Sequence, residues 1–266
     1  MLYFVGTPIG NLKDISLRAL EVLKSVDEIA CEDTRHSLGL LNAYEIKKPL
    51  FSYHKFNERE SGEKIIEKLK QGKNIAVITD AGMPVISDPG NILTQMLVEN
   101  GLEFTVIPGA CAFVSALVLG GLDSSKFCFL GFLPDKNSER KAFLEKYKNL
   151  DVTLIFYSAP HDVKKDIESI YSVFGSRRAV AVKEITKLHE KVERFNLKDG
   201  YTFTPKGEYV LLIEKGEREN LNADLSNLQL IEKYISEGLD KKEALKKVAK
   251  ERGIPKSQLY KLTIND

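Results

Sequence analysis

The chain has 266 residues, 43% of them hydrophobic, and is long enough to form two lobes and a short appendage around sizeable cores. Its 39 basic and 38 acidic residues nearly cancel, so the overall charge does not indicate a nucleic-acid partner. Three scattered cysteines argue against a disulfide framework or a structural zinc site, and no apolar run approaches the roughly 18 residues of a membrane span, so we expect a soluble cytoplasmic protein without a metal.

The first half of the chain alternates short apolar runs with segments of helical apolar spacing. The runs cover residues 2–5, 28–31, 74–79 and 104–107, and the segment 58–71 places Ile65, Ile66 and Leu69 on one helical face. Strands that alternate with helices are typical of a parallel sheet covered by helices. We therefore predict an α/β lobe over residues 1–120.

A second set of elements follows a glycine-containing hinge at residues 119–125. Apolar runs predict strands at 127–131, 152–157, 179–182 and 209–214, with a helix over 162–174. Residues 191–197 alternate imperfectly between apolar and polar side chains, which favours an antiparallel addition to the second sheet. These elements predict a second α/β lobe over residues 121–217.

The tail, residues 218–266, differs from the body in pattern and in charge. Ala249, Gly253 and Leu259 match the spacing of a helix-turn-helix, with a small residue, a turn glycine and an aliphatic anchor. Residues 240–264 hold eight basic and three acidic side chains, a local excess of 8 − 3 = +5 that suits phosphate. Lys246, Lys250 and Lys256 are therefore candidate RNA contacts. The alternative is a helical hairpin that packs on the body or on a second subunit, with solvated lysines.

Three loops rich in glycine and proline each follow an apolar strand. They are VGTPIGNL at 5–12, ITDAGMPVISDPG at 78–90 and VIPGACAFVSAL at 106–117. Ligands of parallel α/β sheets sit outside the carboxyl ends of the strands, so these loops should converge on one cleft. None of them matches GxGxxG or GxxxxGK[ST], which argues against a standard dinucleotide site or P-loop.

Six blocks, taken in order, resemble the ribosomal RNA small subunit methyltransferase I family of the tetrapyrrole methylase-like superfamily: TPIGNLKDIS, EDTRHS, DAGMPVISDPG, PGACA, FYSAPHD and KGEYVLLIE. The resemblance implies a two-lobed class III methyltransferase fold with an S-adenosylmethionine cleft between the lobes. It also implies a homodimer that methylates the 2′-oxygen of a cytidine ribose in 16S rRNA of the small ribosomal subunit.

The same resemblance assigns cofactor-binding residues by position. They are Pro8, Asp80, Ala81, Gly82, Met83, Ile86, Ser87, Cys111, Ala112, Tyr157 and Ala181. For an isolated loop, capping, tight turns and helix packing would explain such residues better, but three such loops together reverse that preference. Met83 departs from the threonine that similar enzymes often carry, which removes a possible hydroxyl contact and leaves the backbone role intact.

A ribose hydroxyl needs a proton acceptor or a stabiliser of its developing charge before it attacks a methyl group. Asp33 of the EDTRHS block is a candidate base. Arg35 is a second catalytic candidate and, with His36 and Lys55, a candidate RNA contact. The alternative is that Asp33 or Thr34 caps the next helix and that Arg35 and His36 are solvated. In the second lobe Glu184 is a further catalytic candidate, and a solvated loop is its alternative.

Two rival functions share this fold. A methylase of tetrapyrrole intermediates would use the same cofactor cleft with an anionic macrocycle as acceptor, and the basic tail and the EDTRHS block argue against it. A non-catalytic RNA-binding or ribosome-assembly factor would keep the fold only as a scaffold, which the intact cofactor loops disfavour.

Overall fold

Five parallel strands form the first sheet of the computed structural model, which describes residues 1–202, 206–216 and 225–262, with side chains through residue 260. The strands are β1 (Leu2–Val5), β2 (Glu28–Cys31), β3 (Leu50–Ser52), β4 (Ile75–Ile78) and β5 (Phe104–Ile107), in the order β3-β2-β4-β1-β5. Four of them confirm the predicted strands. The apolar pattern does not predict β3, because three residues are too few to show a period.

Four helices connect these strands and cover both faces of the sheet. They are α1 (Leu17–Ser25), α2 (Thr34–Ala43), α3 (Glu58–Lys70) and α4 (Asn91–Glu99). Successive side chains of a strand point to opposite faces, so Phe4 of β1 packs with α3 and α4 whereas Val5 packs with α1 and α2. The predicted amphipathic helix is confirmed as α3, whose apolar face, including Ile65, is buried.

The second sheet is mixed. It contains β6 (Phe127–Phe132), β7 (Thr153–Ser158), β8 (Arg178–Lys183), β9 (Lys191–Asn196) and β10 (Tyr209–Ile213), in the order β6-β7-β10-β8-β9. Strands β6 and β7 are parallel, and the other pairs are antiparallel, including the predicted addition, β9, on β8. Helices α6 (Asn137–Glu145) and α7 (Val163–Phe174) belong to this part.

Helix α5 (Ala112–Gly120) follows β5 in sequence but packs on the second sheet. Its Ala116 and Leu117 are buried against Ile155, Val180 and Leu212 of that sheet. The two sheets belong to one structural unit, residues 1–217, and the lobe boundary at residue 120 stays a prediction. Because α5 carries the third loop on its N-terminal side and covers the second sheet, it links the two sheets at the predicted cleft.

The remaining unit, residues 218–266, contains three short helices, α8 (Asn227–Ser236), α9 (Lys241–Arg252) and α10 (Lys256–Leu262). Gly253 ends α9 in the left-handed conformation (φ 65°), and the Ile254 N–H donates to the Ala249 carbonyl at 3.1 Å. Leu259 of α10 is fully buried among apolar side chains of α8 and α9. The predicted helix-turn-helix appendage is confirmed. Within the described residues, no helix has the length and apolar character needed to cross a membrane.

Candidate active site

The loops that follow β1, β4 and β5 meet at the carboxyl edge of the first sheet, as predicted. The Thr7 N–H donates to the Gly82 carbonyl at 2.9 Å, and the Gly82 N–H donates back to Thr7 at 3.2 Å. The third loop reaches the first at Gly109, where an added Cβ would lie 2.8 Å from the carbonyl carbon of Gly6. Glycine is therefore required at this crossing, because any side chain would push two loops apart.

A cavity of about 370 Å³ opens where these loops face the second sheet. Nine of the eleven predicted cofactor residues line it: Asp80, Ala81, Gly82, Met83, Ile86, Ser87, Cys111, Ala112 and Tyr157. Pro8 is buried next to Ile9, which does line the cavity, and Ala181 lies in the core of the second sheet. The volume is in the range of small-molecule sites, which span about 300–1,000 Å³.

The loop between β4 and α4 is held in a strained conformation. Val85 and Ser87 have positive φ angles of 77° and 66°, which a β-branched or ordinary side chain rarely adopts. Its far end is fixed by Glu58, whose Oε1 accepts hydrogen bonds from the N–H groups of Gly90 (2.8 Å) and Ile92 (3.0 Å). Strained backbone that surrounding contacts hold in place is common at ligand-binding sites, where a loop has to present one defined shape to the ligand.

Asp88 is a lining residue that the sequence analysis missed. Burial, followed by the nearby charges of Glu32 and Asp80, raises the pKa of the Asp88 carboxyl to about 6, and the neighbouring Thr79 hydroxyl opposes the change. The pKa of Glu32 is also raised by burial and by the charge of Asp80. Glu32 directly follows β2, and Asp80 and Asp88 lie in the loop after β4. One side of the cavity is therefore acidic.

A chain of ion pairs borders the cavity on the second-sheet side. Lys187 Nζ lies 3.0 Å from Glu184 Oε1 and 2.8 Å from Glu208 Oε2, and Glu184 also accepts from the Glu208 N–H at 2.9 Å. Burial acts to raise the pKa of Glu184, but the Glu208 N–H and the Lys187 ammonium lower it overall. Lys187 and Glu208 line the cavity, whereas Glu184 stands behind them and orients Lys187.

Asp33 is the N-cap of α2, which confirms the capping alternative. It accepts a hydrogen bond from the Arg35 N–H at 2.8 Å, and the Arg35 side chain, 90% exposed, lies 3.3 Å from its carboxylate. This bonding, with Arg35 as its main source, lowers the pKa of Asp33. Asp33 touches the cofactor loop through its own N–H, which donates to Asp80 Oδ1 at 3.3 Å. Its catalytic role stays a prediction.

The predicted RNA contacts lie on two separate units. Arg35 and His36 are exposed at the start of α2, and Lys55 is exposed on the turn before α3. Lys246 and Lys250 are exposed on α9, and Lys256 is half-buried at the start of α10. In the part of the chain that the structure describes, no group of three or more histidine, cysteine or acidic side chains is arranged to hold a metal ion.

Comparison with known proteins gives consistent matches. The model of the tetrapyrrole (corrin/porphyrin) methylases matches residues 1–199. The ribosomal RNA small subunit methyltransferase I of Haemophilus influenzae is 44% identical, over 98% of this chain and 95% of the relative. Its counterpart in Halalkalibacterium halodurans is 41% identical, over 98% and 93% respectively. Uroporphyrin-III-C-methyltransferase from Thermus thermophilus, 20% identical, has a TM-score of 0.55 over 80% of this chain and 94% of that chain. The predicted two-lobed fold class is confirmed.

Proposed function

This chain belongs to the ribosomal RNA small subunit methyltransferase I family, and from that premise we propose that it transfers a methyl group from S-adenosylmethionine to ribosomal RNA of the small subunit. The observation that carries the proposal is the meeting of three loops around one cavity between two sheets. Such a function would take the protein to the cytoplasm, where small ribosomal subunits are its substrate.

The residues around the cavity suit the cofactor. Loop 80–88 offers backbone groups and carboxylates, Met83 and Ile86 offer apolar surface, and Tyr157 closes the opposite wall. Carboxylates beside a cavity favour a cationic ligand, and S-adenosylmethionine carries a sulfonium. When bound, the cofactor supplies an electrophilic methyl group, so this chain's residues need to align the acceptor and exclude competing nucleophiles.

We propose the 2′-oxygen of a cytidine ribose in 16S rRNA as the acceptor. Its hydroxyl proton requires an acceptor within hydrogen-bond reach. Asp88 is the best-placed base, because it lines the cavity and its pKa of about 6 leaves it ionised yet more basic than an ordinary carboxylate at neutral pH. Glu184 acts through Lys187 by holding its ammonium at the cavity wall.

Arg35 then serves RNA binding, and Asp33 caps α2 and holds Arg35 instead of transferring a proton. Arg35 projects into solvent from the first turn of α2, and its planar guanidinium suits a phosphate. Asp33→Ala tests the catalytic prediction directly. Loss of turnover with unchanged cofactor affinity would restore Asp33 to the catalytic set, and near-normal turnover would remove it.

The tail is proposed to recruit the RNA, since its exposed lysines lie on a folded helical unit. Deleting residues 225–266 should weaken binding to small subunits and flatten its salt dependence, because fewer counterions are released. Cofactor binding should not change. If the truncated and the full-length protein bound small subunits with equal affinity, this role would be rejected and the packing alternative favoured.

The predicted homodimer is supported by apolar side chains that remain exposed on β5 and α5. Val106 is 45% exposed on the edge strand, and Val114 and Val118 of α5 are 46% and 80% exposed. A second copy of the chain would bury them. Val118→Lys should lower the mass measured by light scattering to that of a monomer, and an unchanged mass would exclude α5 from the interface.

Methyl incorporation from labelled cofactor decides the function. The protein is incubated with purified small subunits, with free precorrin, or with neither. Labelling of 16S rRNA at a ribose, located by nuclease mapping, supports the proposal, and labelling of precorrin would replace it with the tetrapyrrole reaction. Binding of subunits without any labelling would support the non-catalytic factor.

A further inference from the structure

Phe56 carries its ring almost entirely into solvent. Its side chain is the most exposed of the large hydrophobic residues in the described part of the chain, at 95% exposed. The edge of the His54 ring lies near it, with centroids 6.1 Å apart and planes at 66°. Single exposed hydrophobic residues are common on protein surfaces, but this ring is also fixed by hydrogen bonds and lies next to charged side chains in the sequence.

Hydrogen bonds on both sides fix the turn that carries Phe56. Asn57 Oδ1 accepts from the His54 N–H at 2.8 Å, and Asn57 Nδ2 donates to the Ser52 carbonyl at 3.3 Å. Ser61 of α3 donates its hydroxyl to the same carbonyl at 3.1 Å. The ring is therefore held away from the core by bonds on both sides, and a ligand would meet it without ordering the backbone first.

The same turn is attached to the cavity loop. Tyr53 donates its hydroxyl to Glu58 Oε1 at 3.0 Å, and that oxygen is the one that holds the N–H groups of Gly90 and Ile92. Gly90 lies two residues beyond Asp88, which lines the cavity. Phe56 thus stands on a segment that is braced to the outer end of the proposed cofactor loop.

Two exposed cationic side chains flank Phe56 in the sequence, Lys55 and Arg59. Of the acidic side chains in the same stretch, Glu58 is held by Tyr53 and the N–H groups of Gly90 and Ile92, Glu60 pairs with Lys64 at 2.7 Å, and Glu63 is exposed. An exposed aromatic ring among basic side chains is typical of proteins that stack an unpaired base and hold its phosphates. Double-stranded RNA offers no free base face, and an apolar protein surface would not call for the cations.

We propose that Phe56 is a base-stacking residue, which binds an unpaired base of the RNA beside the nucleotide that enters the cavity. The inference rests on the proposed function for the identity of the RNA. It adds a contact of a different kind from the phosphate contacts of the lysines, because stacking requires an aromatic face and a single-stranded region.

Methylation kinetics with small ribosomal subunits test whether Phe56 stacks on an RNA base. Phe56→Ala should raise KM for subunits on the order of 10-fold or more, the loss of one base–aromatic stack, while the Kd of the cofactor by calorimetry stays unchanged. Phe56→Tyr and Phe56→Trp should keep KM near the wild-type value, because both retain an aromatic ring. Phe56→Leu should raise KM as alanine does. Val98→Ala, at a 69% exposed position on α4, is the matched control and should behave as the wild type. Wild-type KM in the alanine variant would overturn the proposal, and so would rescue by leucine, which would indicate apolar contact with a ribosomal protein.

Fluorescence gives a second measurement that does not depend on methylation. The chain has no tryptophan, so Phe56→Trp and Val98→Trp each contain a single reporter. With protein-free 16S rRNA at concentrations that shift all of the protein in a gel, stacking should quench the tryptophan at 56 much more than the one at 98. Equal quenching would overturn the stack. If the wild type labels no RNA, the proposed function fails, and the quenching still decides whether this residue stacks on a base.

Discussion

The substitution Asp88→Asn should change the stability and the activity of the protein in opposite directions. The amide has nearly the shape of the carboxylate but cannot ionise. The charges of Glu32 and Asp80 act on this partly buried carboxyl, and its pKa is about 6 compared with an ordinary value of 3.8. Each pKa unit corresponds to about 1.4 kcal/mol. Keeping Asp88 ionised in the folded protein therefore costs at most about 3 kcal/mol, less where water in the cavity screens the charge.

The sign of this effect is set by the raised pKa. Below about pH 4 the carboxyl is protonated in the folded and unfolded chain, so it imposes no penalty; the penalty grows between about pH 4 and 6 and is complete above that. The asparagine variant should therefore be more stable than the wild type at pH 7.5, and the difference should disappear near pH 4. Urea unfolding at the two pH values measures it. A variant that is no more stable at pH 7.5 would show that Asp88 is not a strained, ionised carboxylate.

The same variant should lose activity while it gains stability. Removing a general base reduces turnover by about 10²- to 10⁴-fold, and the wild-type rate should fall as pH drops through about 6. Glu32→Gln is the control, because it removes a charge that raises the pKa of Asp88 without touching the cavity; it should move the acid limb of the rate profile to lower pH. Full turnover in Asp88→Asn, or an acid limb that does not respond to Glu32, would refute Asp88 as the base.

Three further substitutions probe the rest of the structure. Gly109→Ala should abolish cofactor binding by calorimetry, because its Cβ would lie 2.8 Å from Gly6; normal binding would mean that the loops can separate. Arg140→Met should destabilise by about 3–5 kcal/mol in urea, because it leaves the Asp166 carboxylate, 3.7 Å away and buried, without its cation; a smaller loss would mean that Asp166 takes up a proton. Leu259→Ala should cost about 2–5 kcal/mol and melt the helical tail without altering cofactor binding; an unchanged helical signal would show that the buried leucine does not hold α10.

Much of the fold could be predicted from the sequence because the strands are short, continuous apolar runs separated by helical patterns. The buried stretches of β1, β2 and β4 have no polar residues to obscure them apart from Glu28 at one end, and the loops after β1 and β4 carry glycines and prolines. The convergence of those loops follows from the geometry of parallel strands alone. The packing of α5 on the second sheet could not be predicted, because its apolar residues cover all sides and give no preferred face.

The acidic side of the cavity could not be predicted from the sequence for a different reason. Glu32 follows β2, Thr79 follows β4 and Asp88 lies nine residues further on, so no local pattern brings them together. They meet because β2 and β4 are neighbours in the sheet although β3 separates them in sequence. The pKa of Asp88 is a property of that assembly, so only the fold reveals it.

Backbone strain connects the two sides of the cavity. Of the five non-glycine residues with positive φ in the described structure, Val85 and Ser87 flank the lining residue Ile86, and Glu184 and Thr186 flank the lining residue Ile185. None of these four residue types favours the left-handed region, so local sequence preferences oppose the observed loops. Contacts from outside each loop stabilise the disfavoured conformation. Glu58 accepts a hydrogen bond from Gly90 in the first loop, and the Glu208 N–H donates to Glu184 in the second. The local sequence disfavours these backbone conformations, and distant residues stabilise them. Such conformations are expected where the geometry of ligand binding, and not folding stability, determines the backbone.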